Sequence, residues 1–368
     1  MSRRNIILSG GGTGGHIFPA VSIARKLKEL LPEVNILFVG ALGKMEMEKV
    51  PKAGFPIKGL PISAFHRRFT LKNLTFIFKL IASLIKAGKI IKEFKPDLVI
   101  GTGGFASGPI VKAASKRGIP CLLQEQNAFP GVTNRMLGKH VQTICVAHEG
   151  LEKYFPADKI KLTGNPVRAD LIKTSSLRKE ALEYFDLKGD KPVLFVFGGS
   201  LGARTINHSI EANLGDLSFT KVCLIWQTGT TYYPEAKKAM DNFPEMEIRV
   251  HEFIYRMDLA YELADVIVSR AGAISISELC IVGKPVILVP YPHAAGDHQL
   301  KNAMALVERN AALMIEDSIA IEKLVESAGL LLSDKEKMAK LGQNISELAK
   351  PEATLKIAEE AIKLLKIE

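Results

Sequence analysis

The sequence predicts an α/β protein built as two doubly wound parallel-sheet domains in tandem, and three observations carry that prediction. A short apolar strand runs straight into a glycine loop and a helical pattern at Asn5–Ser9, and the same order restarts at Pro192–Phe197. Between and after these points, apolar strands alternate with helical stretches at βαβ spacing, which implies parallel pairing with right-handed crossovers. The chain has 368 residues, too many for one ordinary core and suited to two domains.

The elements follow in order. Strand Asn5–Ser9 meets Gly10-Gly-Gly-Thr-Gly-Gly15 and His16, with a helix expected from about Pro19 to Leu31 because proline suits a first helical turn. Strand Asn35–Gly40 is followed by a short helix at Lys44–Val50, ended by Pro51. A long helix covers Leu71–Lys92. Strand Pro96–Gly101 runs into a second glycine loop, Gly101-Thr-Gly-Gly-Phe-Ala-Ser-Gly-Pro109, and a helix. Strand Pro120–Gln124 ends in Glu125-Gln-Asn127, polar residues at the strand end where open parallel sheets bind ligands. Strand Thr143–Ala147, a short helix near Leu151–Phe155 and a strand at Lys159–Thr163 complete this half, and Gly164-Asn-Pro-Val-Arg168 reads as a turn and boundary. Domains at 1–164 and 165–350 are expected, with a final helix in 351–368.

In the second half a charged helix (Ser176–Tyr184) precedes strand Pro192–Phe197, the glycine loop Gly198-Gly-Ser-Leu-Gly202 and a helix at Ala203–Leu214. Strands follow at Val222–Gln227, Ile248–His251, Val266–Ser269 and Val286–Val289, with helices between.

Composition narrows the function classes. At 47% hydrophobic and 24% charged residues the chain is globular, not disordered. A net charge of +10 suits an anionic partner such as nucleic acid, anionic lipid or a phosphorylated substrate. No zinc-finger or RNP-type motif is present, so nucleic acid is not expected. Cys121, Cys145, Cys223 and Cys280 are scattered without metal spacing and read as free buried thiols of a reducing compartment. The N-terminus lacks the long apolar core of a signal peptide, and no uncharged apolar run reaches the ~18 residues of a membrane span.

The glycine loops invite a phosphate. Glycine lets backbone N–H groups approach a ligand, and a helix N-terminus behind the loop favours negative charge. His16 stands at the exit of the first loop as an ionisable group. Gly10, Gly12 and Gly15 match the dinucleotide spacing, but that fingerprint wants an acid after the second strand, and Phe38-Val-Gly-Ala-Leu-Gly43 has none. No loop carries the Gly-Lys-[Ser/Thr] of a nucleotide triphosphatase. In the second half, Arg270-Ala-Gly-Ala273 opens a helix start at Ile274-Ser-Ile-Ser-Glu278 that suits a diphosphate. Glu278 is open to two readings: a carboxylate for vicinal ribose hydroxyls, or an ordinary acid near the positive helix end. His293-Ala-Ala-Gly-Asp297-His298-Gln299 invites a metal, yet no third strong ligand is evident, and polar ligand contacts or loop solvation fit better.

The Leu71–Lys92 helix carries Leu71, Leu74, Phe78, Ile81, Leu84 and Ile85 on one face, with Lys72, Lys79 and Lys86 on another and Phe76, Ile77 and Leu80 at the sides. It fits either a helix packed on the sheet with a solvated lysine edge, or one lying in an anionic membrane surface, helped by Arg67 and Arg68.

Six motifs in one order resemble a known family. Gly11-Gly-Thr-Gly-Gly-His16-Ile-Phe-Pro19, Gly103-Gly-Phe-Ala-Ser-Gly-Pro109, Glu125-Gln-Asn127, Gly164-Asn-Pro-Val-Arg168, Gly198-Gly-Ser-Leu-Gly-Ala203 and Ser269–Glu278 together resemble the MurG family, bacterial UDP-N-acetylglucosamine:lipid I N-acetylglucosaminyltransferases. The resemblance implies a GT-B fold: two Rossmann-like domains facing across a cleft, the first taking the acceptor and the membrane, the second the UDP-sugar, and a C-terminal helix returning to the first. It implies inverting transfer of N-acetylglucosamine to the C4 hydroxyl of the muramyl sugar of lipid I (undecaprenyl-pyrophosphoryl-MurNAc-pentapeptide), giving lipid II, with no cofactor and no metal, by a peripheral enzyme of the cytoplasmic membrane face.

The same resemblance distributes the residues. His16 becomes the base on the acceptor hydroxyl. Thr13, Gly14, Gly15 and Asn127 lie towards the donor sugar and acceptor, with Gly103, Gly104 and Ser107 in an acceptor loop. Arg168, Ser200 and the Ala273-Ile274-Ser275 helix start take the UDP charge, the backbone of Ile254 reads uracil, Glu278 holds the ribose, and Gln299 or His298 contacts the donor. A lipid-anchored acceptor favours the membrane reading of Leu71–Lys92. The alternatives are another glycosyltransferase of this fold acting on a lipid such as diacylglycerol, a UDP-N-acetylglucosamine 2-epimerase, which wants acids near the glycine loops where none is seen, and a non-catalytic membrane-surface protein.

Overall fold

The computed structural model describes residues 4–63, 72–168, 171, 177–199, 201–219, 221–294 and 297–366, the side chains of 72–75, 218 and 219 excepted. Arg67, Arg68, Leu71 and Ser200 therefore lie outside the described residues, as do the side chains of Lys72 and Leu74. The chain divides into two units: Met1–Arg168 with Lys350–Glu368, and Ala169–Ala349.

The first unit contains β1 (Asn5–Ser9), α1 (Gly14–Leu30), β2 (Asn35–Ala41), α2 (Glu46–Lys52), β3 (Ile57–Leu60), α3 (Lys72–Phe94), β4 (Leu98–Gly101), α4 (Ser107–Ser115), β5 (Cys121–Glu125), α5 (Val132–Leu137), β6 (Thr143–Val146) and β7 (Ile160–Leu162). The second contains α6 (Arg178–Phe185), β8 (Val193–Phe197), α7 (Arg204–Ala212), α8 (Leu214–Phe219), β9 (Cys223–Gln227), α9 (Tyr233–Met240), β10 (Ile248–His251), α10 (Met257–Leu263), β11 (Val266–Ser269), α11 (Ala273–Val282), β12 (Val286–Leu288), α12 (His298–Val307), β13 (Leu313–Met314), α13 (Ala320–Ser333) and α14 (Lys335–Ser346). Helix α15 (Ala353–Leu364) closes the chain and belongs to the first unit.

Each unit is a wholly parallel sheet. The first has seven strands in the order β3-β2-β1-β4-β5-β6-β7, the second six in the order β10-β9-β8-β11-β12-β13. In both sheets the strand order reverses at one place, β1/β4 and β8/β11, and open parallel sheets bind ligands outside the carboxyl ends of the strands at such a point. The central strands are apolar on both faces because helices cover both: Ile6, Ile7 and Leu8 are all fully buried, in two separate cores on opposite sides of the sheet. Helix α15 completes one of those cores by packing Ile357, Ala358 and Ala361 with Ile17, Ala20 and Leu27 of α1.

Several expected boundaries shift. Helix α1 begins at Gly14, with extended Thr13 as N-cap and its carbonyl accepting His16 N–H (3.1 Å) and Ile17 N–H (3.3 Å). His16 is thus in the first helical turn, not at a loop exit, and Pro19 lies inside the helix, where it removes one helical bond. The early start buries Ile17, and that packing outweighs the preference of proline for the first turn. Pro51 likewise falls in the last turn of α2. Leu151–Phe155 forms turns in place of a helix, since Pro156 stops propagation. His298 and Gln299 open α12, although the sequence placed them in a loop. Strands β3 and β13 and helices α5 and α8 escaped the sequence pattern because they are short.

Helix α3 packs on the sheet through residues that the sequence pattern put at its sides. Its core-facing stripe is Phe76, Leu80, Ala87, Ile90 and Ile91, and the stronger apolar stripe points outward: Ile77 (53% exposed), Phe78 (67%), Ile81 (51%) and Ile85 (59%), with Lys79 and Lys86 exposed beside it. Among the described residues, no helix is long and apolar enough to cross a membrane. All four cysteines are free and buried, and burial pushes the thiols of Cys121 and Cys280 up to about 12 and that of Cys223 up to about 11.

Because Ile357 is fully buried in the core that α15 completes, Ile357→Ala is expected to destabilise the first unit by about 2–5 kcal/mol. Denaturant unfolding, followed by a probe in that unit, checks this.

Candidate active site

In the first unit the loops that follow β1 and β4 meet at the switch point, and His16 is clamped between them. Its Nδ1 lies 3.0 Å from the Thr102 carbonyl, and the Thr102 hydroxyl donates back to the His16 carbonyl at 2.7 Å. A carbonyl only accepts, so Nδ1 carries the proton of the neutral ring and Nε2 is left as the acceptor. The contact is close enough to exclude side chains: a Cβ on Gly10 would stand 1.9 Å from the Thr102 hydroxyl, and one on Gly104 would stand 2.2 Å from the Gly11 carbonyl. The glycines therefore let two loops and an imidazole interlock.

Behind the imidazole lies a buried polar network. Gln126 donates to the Thr102 carbonyl (2.7 Å), Gln124 to Asn165 Oδ1 (3.1 Å), and Asn165 to the Gln126 carbonyl (3.2 Å). The Glu125 carboxylate, 1% exposed, accepts from the backbone and side chain of Asn127, from Gly131 N–H and from Asn134 (2.9–3.1 Å). Desolvation lowers the pKa of His16, against the smaller raising effects of Glu125, the Thr102 carbonyl, Gln126 and Glu46. The ring is neutral at pH 7 and able to take a proton.

Two acids thus stand behind the first glycine loop, where the sequence showed none. Besides Glu125, Glu46 from α2 reaches back with its carboxylate to Gly12 N–H (3.0 Å) and Ala41 N–H (2.9 Å). Both carboxylates are turned into donors of the protein, so neither resembles the exposed ribose acid of a dinucleotide site. Glu46 also corrects the reading of the loop as an open phosphate cradle, because a carboxylate already holds the Gly12 amide.

The remaining first-unit residues fall into two groups. Thr13 and Gly15 are exposed at the start of α1, and Gly14 is half-buried there. Gly103 and Gly104 line the imidazole, their hypothetical Cβ atoms within 3.0–3.2 Å of the ring. Ser107 is fully buried and donates to the Gly104 carbonyl (3.0 Å), so it shapes its loop without facing a ligand. Asn127 is half-buried, with its side-chain amide given to Glu125. Arg168, half-buried, closes this unit.

The second unit repeats the arrangement with different contacts. Gln227, at the carboxyl end of β9, donates to the Gly199 carbonyl (3.1 Å) and accepts from Ile254 N–H (2.8 Å), tying the glycine loop to the segment after β10. The Ile254 side chain is buried and its N–H is engaged, so a base read by this backbone meets the carbonyl. After β11, Gly272 is the extended N-cap of α11, and Ala273, Ile274 and Ser275 form its first turn, whose amides point out of the helix. Glu278 is 8% exposed and accepts a hydrogen bond from the Tyr261 hydroxyl at 3.3 Å. Asn302 of α12 donates to the Ala271 carbonyl (3.1 Å), docking α12 beside that turn, and Gln299 accepts from Tyr291 N–H (3.0 Å). Arg270, buried, is anchored to the carbonyls of Val289 and Pro290 and to Asp317. Among the described residues, no group of three or more His, Cys, Asp and Glu side chains is placed to hold a metal ion.

Sequence reasoning missed Thr102, Glu46, Gln227 and Asn302 and used Gln124, Glu125 and Gln126 only as a motif. One signal was available for some of them: β5 ends CLLQE and β9 ends CLIWQ, polar residues closing apolar strands where ligands bind.

The two doubly wound units, each with a glycine loop at its switch point and a helix N-terminus beside it, are those of a family 28 glycosyltransferase. Residues 6–146 match the glycosyltransferase family 28 N-terminal domain and residues 193–360 its C-terminal domain. The chain is 54% identical to a UDP-N-acetylglucosamine--N-acetylmuramyl-(pentapeptide) pyrophosphoryl-undecaprenol N-acetylglucosamine transferase of Christiangramia forsetii, over 98% of this chain and 97% of the relative. It is 51% identical to the transferase of the same name from Parabacteroides distasonis, over 99% of each. The crystal structure of Acinetobacter baumannii MurG superposes with a TM-score of 0.75 at 26% identity, over 98% of this chain and 99% of that one. A UDP-GlcNAc 2-epimerase from Neisseria meningitidis, with a TM-score of 0.66 at 17% identity over 98% of this chain and all of the other, shares the fold alone. The chain belongs to the MurG family of glycosyltransferase family 28.

Since Thr102 holds Nδ1 and burial lowers the pKa, nitrogen-resolved NMR is expected to show His16 as the Nδ1–H tautomer at pH 7, titrating below the ordinary histidine range near 6.5. An Nε2–H tautomer, or a titration above that range, contradicts this.

Proposed function

We propose that this protein transfers N-acetylglucosamine from UDP-N-acetylglucosamine to the C4 hydroxyl of the muramyl sugar of lipid I, with inversion, yielding lipid II. The observation that carries the mechanism is the clamped imidazole: Thr102 pins Nδ1 and leaves Nε2 as base. Full-length identity of 50% or more to several transferases named for this reaction supports the substrates.

In this reading His16 Nε2 takes the proton of the attacking hydroxyl as the new glycosidic bond forms and the bond to UDP breaks. The diphosphate charge that develops is met by the first-turn amides of α11 at Ala273, Ile274 and Ser275, and by Arg168 and Ser200. Glu278, preoriented by Tyr261, accepts from the ribose hydroxyls. The Ile254 carbonyl accepts from uracil, and Gln299 or His298 contacts the donor. Thr13, Gly14, Gly15 and Asn127 border the reacting sugars, and Gly103 and Gly104 shape the acceptor side.

The first unit would meet the cytoplasmic membrane surface through α3. The row Ile77, Phe78, Ile81, Leu84 and Ile85 is exposed, contiguous along one helix face and flanked by Lys79 and Lys86. Such a row is costly in water and suits the headgroup boundary of an anionic leaflet; in sequence it is preceded by Arg67, Arg68, Leu71, Lys72 and Leu74. Each lysine near anionic lipid contributes roughly 1 kcal/mol.

His16→Ala is expected to lower turnover with a lipid I analogue by about 10²–10⁴-fold while UDP binding, measured by calorimetry, is unchanged. Unchanged turnover would remove His16 as base, and transfer to diacylglycerol in place of the muramyl sugar would replace the acceptor. Separately, Lys79→Glu with Lys86→Glu should weaken flotation with anionic vesicles but not with neutral ones. Equal flotation on both removes the membrane assignment.

A further inference from the structure

Glu46 is a buried charged side chain bonded directly into the first glycine loop, and the mechanism above does not use it. It is fully buried. Its Oε2 accepts from Gly12 N–H at 3.0 Å and its Oε1 from Ala41 N–H at 2.9 Å, so one carboxylate bridges the loop after β1 to the end of β2. The space around it is cut to fit: a Cβ on Gly11 would stand 2.1 Å from Oε1, and one on Gly40 would stand 2.5 Å from the Glu46 Cγ. The Gly11 carbonyl in turn lies against Gly104, whose other neighbour is the His16 ring.

We propose that Glu46 is a positioning residue for the transfer: its carboxylate holds the first glycine loop from behind and so sets where the His16 imidazole stands. The assignment rests on the reading of His16 as base. A buried carboxylate bound by two backbone amides is a rigid strut, because each oxygen has a fixed donor and loss of either leaves an unpaired N–H in the interior. Its negative charge also favours the imidazolium that forms when His16 takes the proton, alongside Glu125 at the end of β5, while the Thr102 carbonyl accepts from Nδ1 of the same ring.

The test compares the full-length protein with Glu46→Gln, Glu46→Asp and Gly11→Ala. Glutamine keeps the shape but offers one acceptor for two donors and no charge. Aspartate keeps the charge on a shorter arm. Alanine at Gly11 keeps the carboxylate but leaves it no room. Glu46→Gln is expected to lower kcat by about tenfold or more with the KM for UDP-N-acetylglucosamine within about twofold. Removing the negative charge should also shift the NMR titration of the His16 imidazole, and the acid limb of the kcat/KM profile, to lower pH. Glu46→Asp should restore part of kcat and the position of that limb, and Gly11→Ala should lower kcat, expressed per folded protein, although the carboxylate itself is retained. An unmoved His16 titration in folded Glu46→Gln protein, or activity that falls only with the folded fraction, overturns the assignment. Wild-type turnover by His16→Ala would instead sink the base reading, an outcome read from a different variant.

Discussion

The paired bonds between Thr102 and His16 are the constraint on which the first unit's chemistry depends. Thr102 follows β4, and its own N–H continues the sheet by bonding the Ser9 carbonyl at the end of β1. The residue thereby transmits the geometry of two hydrogen-bonded parallel strands directly to a ring nitrogen. An imidazole on a free loop would sample several rotamers. One held at Nδ1, with its own carbonyl gripped by the same residue, has its remaining nitrogen aimed.

That aim is kept by polar groups placed where water cannot reach. Glu125 and Glu46 are both buried, a costly state for a charge unless donors surround it, and each is surrounded by amides of the same unit. Such a network is strong when complete and expensive when broken, which concentrates precision in the few residues beneath the imidazole. The glycines of the loop matter mainly for what they admit: a threonine hydroxyl at Gly10, a carboxylate at Gly11 and a second loop at Gly104. Their role in this unit is close packing of protein on protein more than exposure of backbone to a phosphate.

The second unit uses the same strand order for the opposite purpose. Its glycine loop is tied down by Gln227, an uncharged side chain, and no carboxylate is bonded into that loop among the described residues. A neutral tether leaves the local field to the helix N-terminus of α11, which suits a diphosphate, while the acid, Glu278, sits further along the same helix against Tyr261. One architecture is loaded with carboxylates at the glycine loop in one copy and with an amide in the other.

Much of this was legible in the sequence. Central strands buried on both faces are continuous apolar runs, so β1 and β11 fall where Asn5–Ser9 and Val266–Ser269 place them, and the edge strand β10 falls at Ile248–His251, where apolar and polar residues alternate. The glycine loops, His16 and the ordered motifs that mark the family are local strings, and local strings can be read without a fold. What depends on long-range contact could not be read. Glu46 lies five residues beyond the end of β2, and only the packing of α2 turns it back into the loop of β1. Thr102 and His16 are 86 residues apart. The outward stripe of α3 follows the same 3.6-residue period as its core stripe, so periodicity shows that a helix has an apolar face but not which face the sheet takes. The sequence by itself determined the strands, the loops and the family, because these rest on residue type and short spacing. The tertiary structure alone decided which acids and carbonyls surround the imidazole, because burial and hydrogen bonding are properties of distant segments brought together.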